Sequence, residues 1–138
     1  MNHIQSPATG DQAIERAIVA AGANVAPRVT PADIEAAIVS EHYFTAEDGR
    51  AGAIQSAHYV GRECPADDDA DIDALKLLTF CVLVLRNGFT VTGESACASP
   101  ANFNAEIGRR IARENAVSKV WPLLGYALKE KLVCAPSS

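Results

Sequence analysis

No CxxC pair, P-loop, dinucleotide fingerprint, HExxH or GxSxG elbow occurs anywhere in the chain. Each absence removes a class of chemistry, because each motif is a spacing that its reaction requires. The four cysteines, Cys64, Cys81, Cys97 and Cys134, have no metal-ligand rhythm, so structural thiols are expected. A zinc site from His42, His58 and Cys64 would match no standard ligand spacing. No metal or other cofactor is expected. Long hydrophobic runs are also missing. The longest candidate, Leu77 to Leu85, is interrupted by Thr79 and falls short of the ~18 residues of a membrane span. The opening MNHIQSPATGDQ has neither the basic start nor the apolar core of a signal peptide. A soluble, cytoplasmic protein without membrane association is the expectation.

What is present is an ordinary globular composition, 49% hydrophobic and 21% charged over 138 residues, the size of one domain with a real core. The net charge of −5 hides an asymmetry. Residues 1–75 hold thirteen acids against four bases, whereas residues 76–138 hold eight bases against four acids. An acidic chain is a poor general binder of nucleic acid, since phosphate neutralisation carries most of that affinity. A local basic face could still hold a small anion or an acidic partner.

Residues 1–10 read as a frayed tail. Ile14, Ala17, Ile18 and Ala21 stand at helical spacing before Gly22, so a short helix is expected over 11–21. Thr30, Pro31 and Asp33 form a helix start with a capping-box acid. The apolar spacing then extends that helix to His42-Tyr43-Phe44, with His42 partly buried at its C-terminus. Residues 45–74 contain Gly49, Gly52, Gly61, Cys64-Pro65 and the run DDDADID, which predict a long acidic loop. That run lacks the mid-loop glycine and terminal glutamate of an EF-hand, so it is read as solvated.

Asn87-Gly88 between two β-rich runs predicts a hairpin with a two-residue type I′ turn. That turn pairs Val84 with Val91, Val82 with Gly93 and Phe80 with Ser95 on one face. On the other it pairs Leu85 with Thr90, Leu83 with Thr92 and Cys81 with Glu94. The first strand is apolar on both faces and needs cover on both, from helices, a third strand or another subunit. Ser99-Pro100 opens a long C-terminal helix. Phe103, Ile107, Ile111, Val117, Val120, Trp121, Leu124 and Leu128 are its expected core stripe. Gly108 predicts a close backbone approach, and Pro122 predicts a break or kink with a last short helix over 123–132. The fold class is therefore α+β: an antiparallel hairpin, with room for a third strand, packed by three or four helices.

Two stretches carry a resemblance. RVTPADIEAAIVSEHYF and the segment from LTFCVLVLRNGFTVTGESA through NF…IGR to WPL.GY resemble a family of small tailed-phage proteins. That family is named after gene 49 of a coliphage and gene 66 of a Shigella phage. The resemblance covers about residues 28–44 and 78–132. It implies one family domain over 28–132 with a variable acidic insertion at about 45–77. Residues 1–27 and 133–138 fall outside that domain. It further implies a phage or prophage protein acting in the host cytoplasm, and it carries over no catalytic motif.

For chemistry, Cys97 is the best-placed thiol, just before a helix start that could lower its pKa. A cysteine hydrolase also needs a histidine base and an orienting group, and nothing in the pattern places His42 or His58 beside it. Arg109 and Arg113 stack at i,i+4 without an acidic partner on their own helix. The aspartate run could supply that partner. The leading expectation is a non-enzymatic accessory protein, homo-oligomeric, that binds a host protein or modulates host physiology. The alternative is an oligomeric sponge for a nucleotide-type antiphage signal, a small anionic ligand. Arg109, Arg113, Glu94, Ser95, Asn102, Trp121 and Tyr126 would form that site.

Overall fold

The computed structural model describes residues 10–56 and 70–134. They fall into two compact units, one within Ile38–Val120 and one within Met1–Ala37 plus Trp121–Ser138.

In the second of these, α1 (Gly10–Ala20) ends as its sequence demands. Gly22 takes φ +70°, and the Gly22 and Ala23 N–H groups bond back to the Val19 and Ile18 carbonyls. That is the double-bonded glycine stop that closes many helices. Helix α2 (Pro31–Ala37) starts with the expected reciprocal cap. Asp33 N donates to Thr30 Oγ1 at 3.2 Å and Thr30 N to Asp33 Oδ2 at 2.8 Å. Arg28 clamps Glu15 through both terminal guanidinium nitrogens, fixing the α1–α2 connection. Ile34 and Ala37 are buried.

The helix then stops, and this corrects the expectation that it reaches Phe44. Ile38–Thr45 is a strand, β1, antiparallel to β2 (Leu78–Leu85), which in turn pairs with β3 (Thr90–Ala96). Ile38, Val39, Tyr43, Phe44 and Thr45 are β-branched or aromatic and suit a strand. The free edge of an apolar strand supplied their partner. His42 consequently lies on a sheet face, where Nε2 meets Ser40 Oγ at 3.0 Å, and not at a helix end.

Among the described residues of the 45–74 segment, 46–55 and 70–74 are helical where a loop was expected. Helix α3 (Ala46–Gln55) begins with a capping box between Thr45 and Asp48, and α4 (Ala70–Leu75) precedes β2. Asp67, Asp68 and Asp69 of the acidic run lie outside the described residues.

The hairpin forms with its register displaced by one residue. Gly88 has φ +86° and no other residue type has positive φ among the described residues, so Asn87 does not supply the type I′ geometry. Gly88 N bonds to Leu85 O and Leu85 N to Phe89 O, both at 2.8 Å. The loop is therefore three residues, Arg86-Asn87-Gly88, a type I turn closed by a left-handed glycine. Pairing becomes Leu83 with Val91, Cys81 with Gly93, Thr79 with Ser95 and Phe80 with Glu94. Leu83, Cys81, Thr79, Val91 and Gly93 face inward and are buried.

Helix α5 runs unbroken from Ala105 to Cys134 through Pro122, so no separate helix begins at Leu123. Of the expected apolar stripe Val117 and Val120 are buried, but its N-terminal isoleucines are not. Ile107 and Ile111 are 56% and 42% exposed, while Gly108, Ala112, Ala116 and Val120, four apart, are buried. A β-carbon on Gly93 would stand 2.2 Å from both Ala112 O and Ala116 N. Small residues on both sides let the helix backbone rest on β3, which turns Ile107 and Ile111 aside. Gly108 plays its expected part. A β-carbon there would lie 3.1 Å from Thr79 Oγ1.

Candidate functional site

Three places within Ile38–Val120 hold chemistry-bearing side chains. The first is a groove of about 290 Å³ where the chain leaves β3 and turns into α5. Leu77, Ala96, Phe103, Ile107 and Ile111 give it apolar walls, Ser95, Asn102 and Asn104 add polar groups, and no charged residue lines it. Its geometry is held from both ends. Cys97 N bonds to Leu77 O at 3.0 Å and its thiol donates to Ser99 O at 3.1 Å. Asn104 caps α5, its Oδ1 accepting from Ile107 N at 3.1 Å.

The Leu85–Phe89 and Cys97–Leu77 bonds also fix which backbone groups of β3 face β2. In an antiparallel ladder these alternate, so Thr92, Glu94 and Ala96 point to the outer edge. The Glu94 carbonyl is taken by Asn115 Nδ2 at 2.8 Å. Ala96, beside the groove, has no such partner among the described residues.

The second place is a closed polar cluster between β1 and α5. Arg113 Nε donates to Glu41 Oε1 at 2.7 Å and Tyr43 OH to Glu41 Oε2 at 2.9 Å. Burial pushes the Glu41 carboxyl up, but the Arg113 and Tyr43 hydrogen bonds outweigh it and hold the pKa below the usual value. Tyr43 is raised by burial first and then by its bond to that carboxylate. The neighbouring Cys81 thiol is raised chiefly by burial. Glu41 is thus held ionised while Tyr43 and Cys81 keep their protons, the charge pattern of a tie between β1 and α5.

The third is a pocket of about 90 Å³ whose lining includes Arg109, Asp48, Thr45, Thr79, Phe44 and Phe103. Thr79 is 3% exposed and its Oγ1 has no hydrogen-bond partner.

The residues expected to form one ligand site are thus distributed. Ser95 and Asn102 share the groove with Cys97. Arg109 lines the small pocket, and Arg113 pairs with Glu41. The Glu94 side chain lies on the sheet face away from α5, opposite Phe80. Trp121 belongs to the other unit, where Nε1 donates to Asp11 Oδ2 at 3.1 Å. Tyr126 in that unit is 71% exposed. Asp73, from the acidic run, pairs with Lys76 at 3.3 Å. Cys97 precedes a three-residue 3-10 turn, Pro100–Asn102, and not the long helix itself.

Glu41, Tyr43, Asp48 and Thr79 were absent from the sequence-derived site. Thr45…Asp48 repeats the legible pattern of Thr30…Asp33, but Glu41 and Tyr43 become visible only once β1 is recognised as a strand. Among the described residues no three of His, Cys, Asp and Glu are grouped to hold a metal ion. No described helix is long and apolar enough to cross a membrane.

Neither a curated protein nor a solved structure matches the chain. A family model does, over residues 29–132, running through the 45–77 segment that the quoted motifs leave out. Covering most of the sequence, that match establishes that the chain belongs to the phage protein (N4 Gp49/phage Sf6 gene 66) family.

Proposed function

We propose that this phage-family protein is a non-enzymatic accessory protein that binds a host protein, and that the groove beside Ile107 and Ile111 is where it does so. The observation carrying this reading is the groove's uncharged, mainly apolar lining in a chain that is 21% charged. Ile107 and Ile111 present two half-exposed apolar side chains to the same groove, where a partner's apolar side chains would cover them. The unpaired Ala96 backbone at the same place favours an extended segment, whose main chain can add to a strand edge while its side chains enter the groove. The occupant is therefore an uncharged, apolar, extended stretch of a partner protein.

The test compares wild type with Ile107→Asp and Ile111→Asp in affinity purification from host cells. Both positions are exposed, so the variants should keep wild-type circular dichroism. Loss of a buried apolar anchor costs roughly 1–2 kcal/mol, so a specific partner's recovery should fall about tenfold or more. An unchanged set of recovered proteins would sink the reading. So would light scattering that shows a homodimer dissolved by either variant, because the occupant would then be a second copy.

A further inference from the structure

We infer that the small pocket at Arg109 is a binding site for a small zwitterion of amino-acid type, its carboxylate on Arg109 and Thr79 and its ammonium on Asp48. This is independent of the groove proposed above. Arg109 and Asp48 line the same pocket, yet no ion pair joins them, and Arg109 has no ion-pair partner among the described residues. Asp48 Oδ2 accepts the Thr45 N–H at 3.0 Å in the α3 cap, which fixes the carboxylate and leaves Oδ1 open. Opposite charges that share a confined space without meeting set the ligand's charge pattern. A bare oxyanion would be repelled by Asp48, and a bare cation by Arg109. A molecule bearing both signs satisfies both.

Thr79 is the independent observation. A hydroxyl in a strand 3% exposed, with no hydrogen-bond partner, is an unfavourable choice where valine has the same shape. Thr79 lines this pocket, and rotation about χ1 exchanges its hydroxyl with its methyl. A bound carboxylate would give that hydroxyl an acceptor. Arg109 would meet the same carboxylate with its planar fork of donors. Phe44 and Phe103 are among the other residues of the lining. A volume of about 90 Å³ lies well below the ~300 Å³ at which drug-sized pockets begin, which sets the ligand at the scale of glycine or alanine and excludes a nucleotide.

The experiment is an amide and arginine-Nε NMR titration of the full chain with glycine, acetate and methylamine. Glycine should produce saturable shifts at Thr79, Asp48 and Arg109. Acetate and methylamine, each satisfying one charge, should bind about tenfold more weakly or worse. Arg109→Gln should abolish the glycine shifts, and Thr79→Val should weaken them several-fold. Arg109 is exposed and valine is isosteric with threonine, so both variants should fold. Absence of saturation, shifts that survive Arg109→Gln or Thr79→Val, or equal binding of acetate and glycine would each overturn the assignment.

Discussion

A β-carbon on Gly93 would collide with main-chain atoms, Ala112 O and Ala116 N, each at 2.2 Å. Backbone in the middle of a long helix cannot swing aside as a side chain can, so Gly93→Ala must push α5 off the sheet. Overpacking of this kind costs about 3 kcal/mol or more, and urea unfolding should show it as a lower midpoint or no cooperative transition. A near-wild-type midpoint would mean that the helix does not rest on β3 as described. Thr79 makes the opposite case. Thr79→Val removes a buried hydroxyl without a partner and keeps its volume, so it should raise stability by about 1 kcal/mol in the absence of any ligand. A loss of stability on that change would show that the hydroxyl is satisfied after all.

Among the elements, those with local punctuation were legible in advance. Thr30 and Asp33 announced the α2 start, Gly22 the α1 stop, and the apolar runs around Asn87-Gly88 the hairpin. Elements decided by long-range partners were not. Ile34, Ala37 and Ile38 share a helical period that carries across the α2–β1 boundary, and only the edge of β2 ends it. The hairpin register depended on a choice that Asn-Gly leaves open, because a two-residue and a three-residue turn both use a glycine with positive φ. The helix-facing stripe is not legible from residue size, because large side chains are not what packs against the sheet. Here close approach selected Gly108, Ala112 and Ala116, and the large isoleucines were left at the groove. The same preference for small residues hid the candidate site. Ser95 and Asn102 were expected in a site, but the isoleucines beside them were assigned to the core.

The turn yields a prediction at this scale. Gly88 sits at φ +86°, where a β-carbon costs roughly 1–2 kcal/mol, so Gly88→Ala should destabilise by about that amount. Asn87 has no positive φ and contributes only its side-chain acceptor to Phe89 N at 3.0 Å. Asn87→Ala should therefore cost less, roughly 0.5–1 kcal/mol. Equal penalties at the two positions in denaturant unfolding would favour the two-residue type I′ turn and the other register.

For the whole molecule, the tie with most consequence is Glu41, because it joins β1, the strand no local signal announced, to α5. Its carboxyl is held below the ordinary value of 4.5 by Arg113 and Tyr43 against the opposing effect of burial. A carboxyl with a lowered folded pKa binds its proton more readily in the unfolded chain. Its stabilising contribution is therefore complete above about pH 4.5 and is lost as pH falls through the lowered folded value. The Glu41 side chain is 34% exposed, so solvent screening reduces the size of the effect without changing its sign. Glu15, lowered by Arg28, responds to acid in the same direction in the other unit, so acid unfolding of wild type alone cannot isolate Glu41. The difference between wild type and Glu41→Gln can. Wild type should be the more stable near pH 7, and the gap should narrow steadily below pH ~4.5 as Glu41 takes up its proton. Chemical denaturation at a series of pH values measures it. A gap that is constant or widens toward acid would show that Arg113 and Tyr43 do not hold this carboxylate, and that β1 is joined to α5 by packing alone.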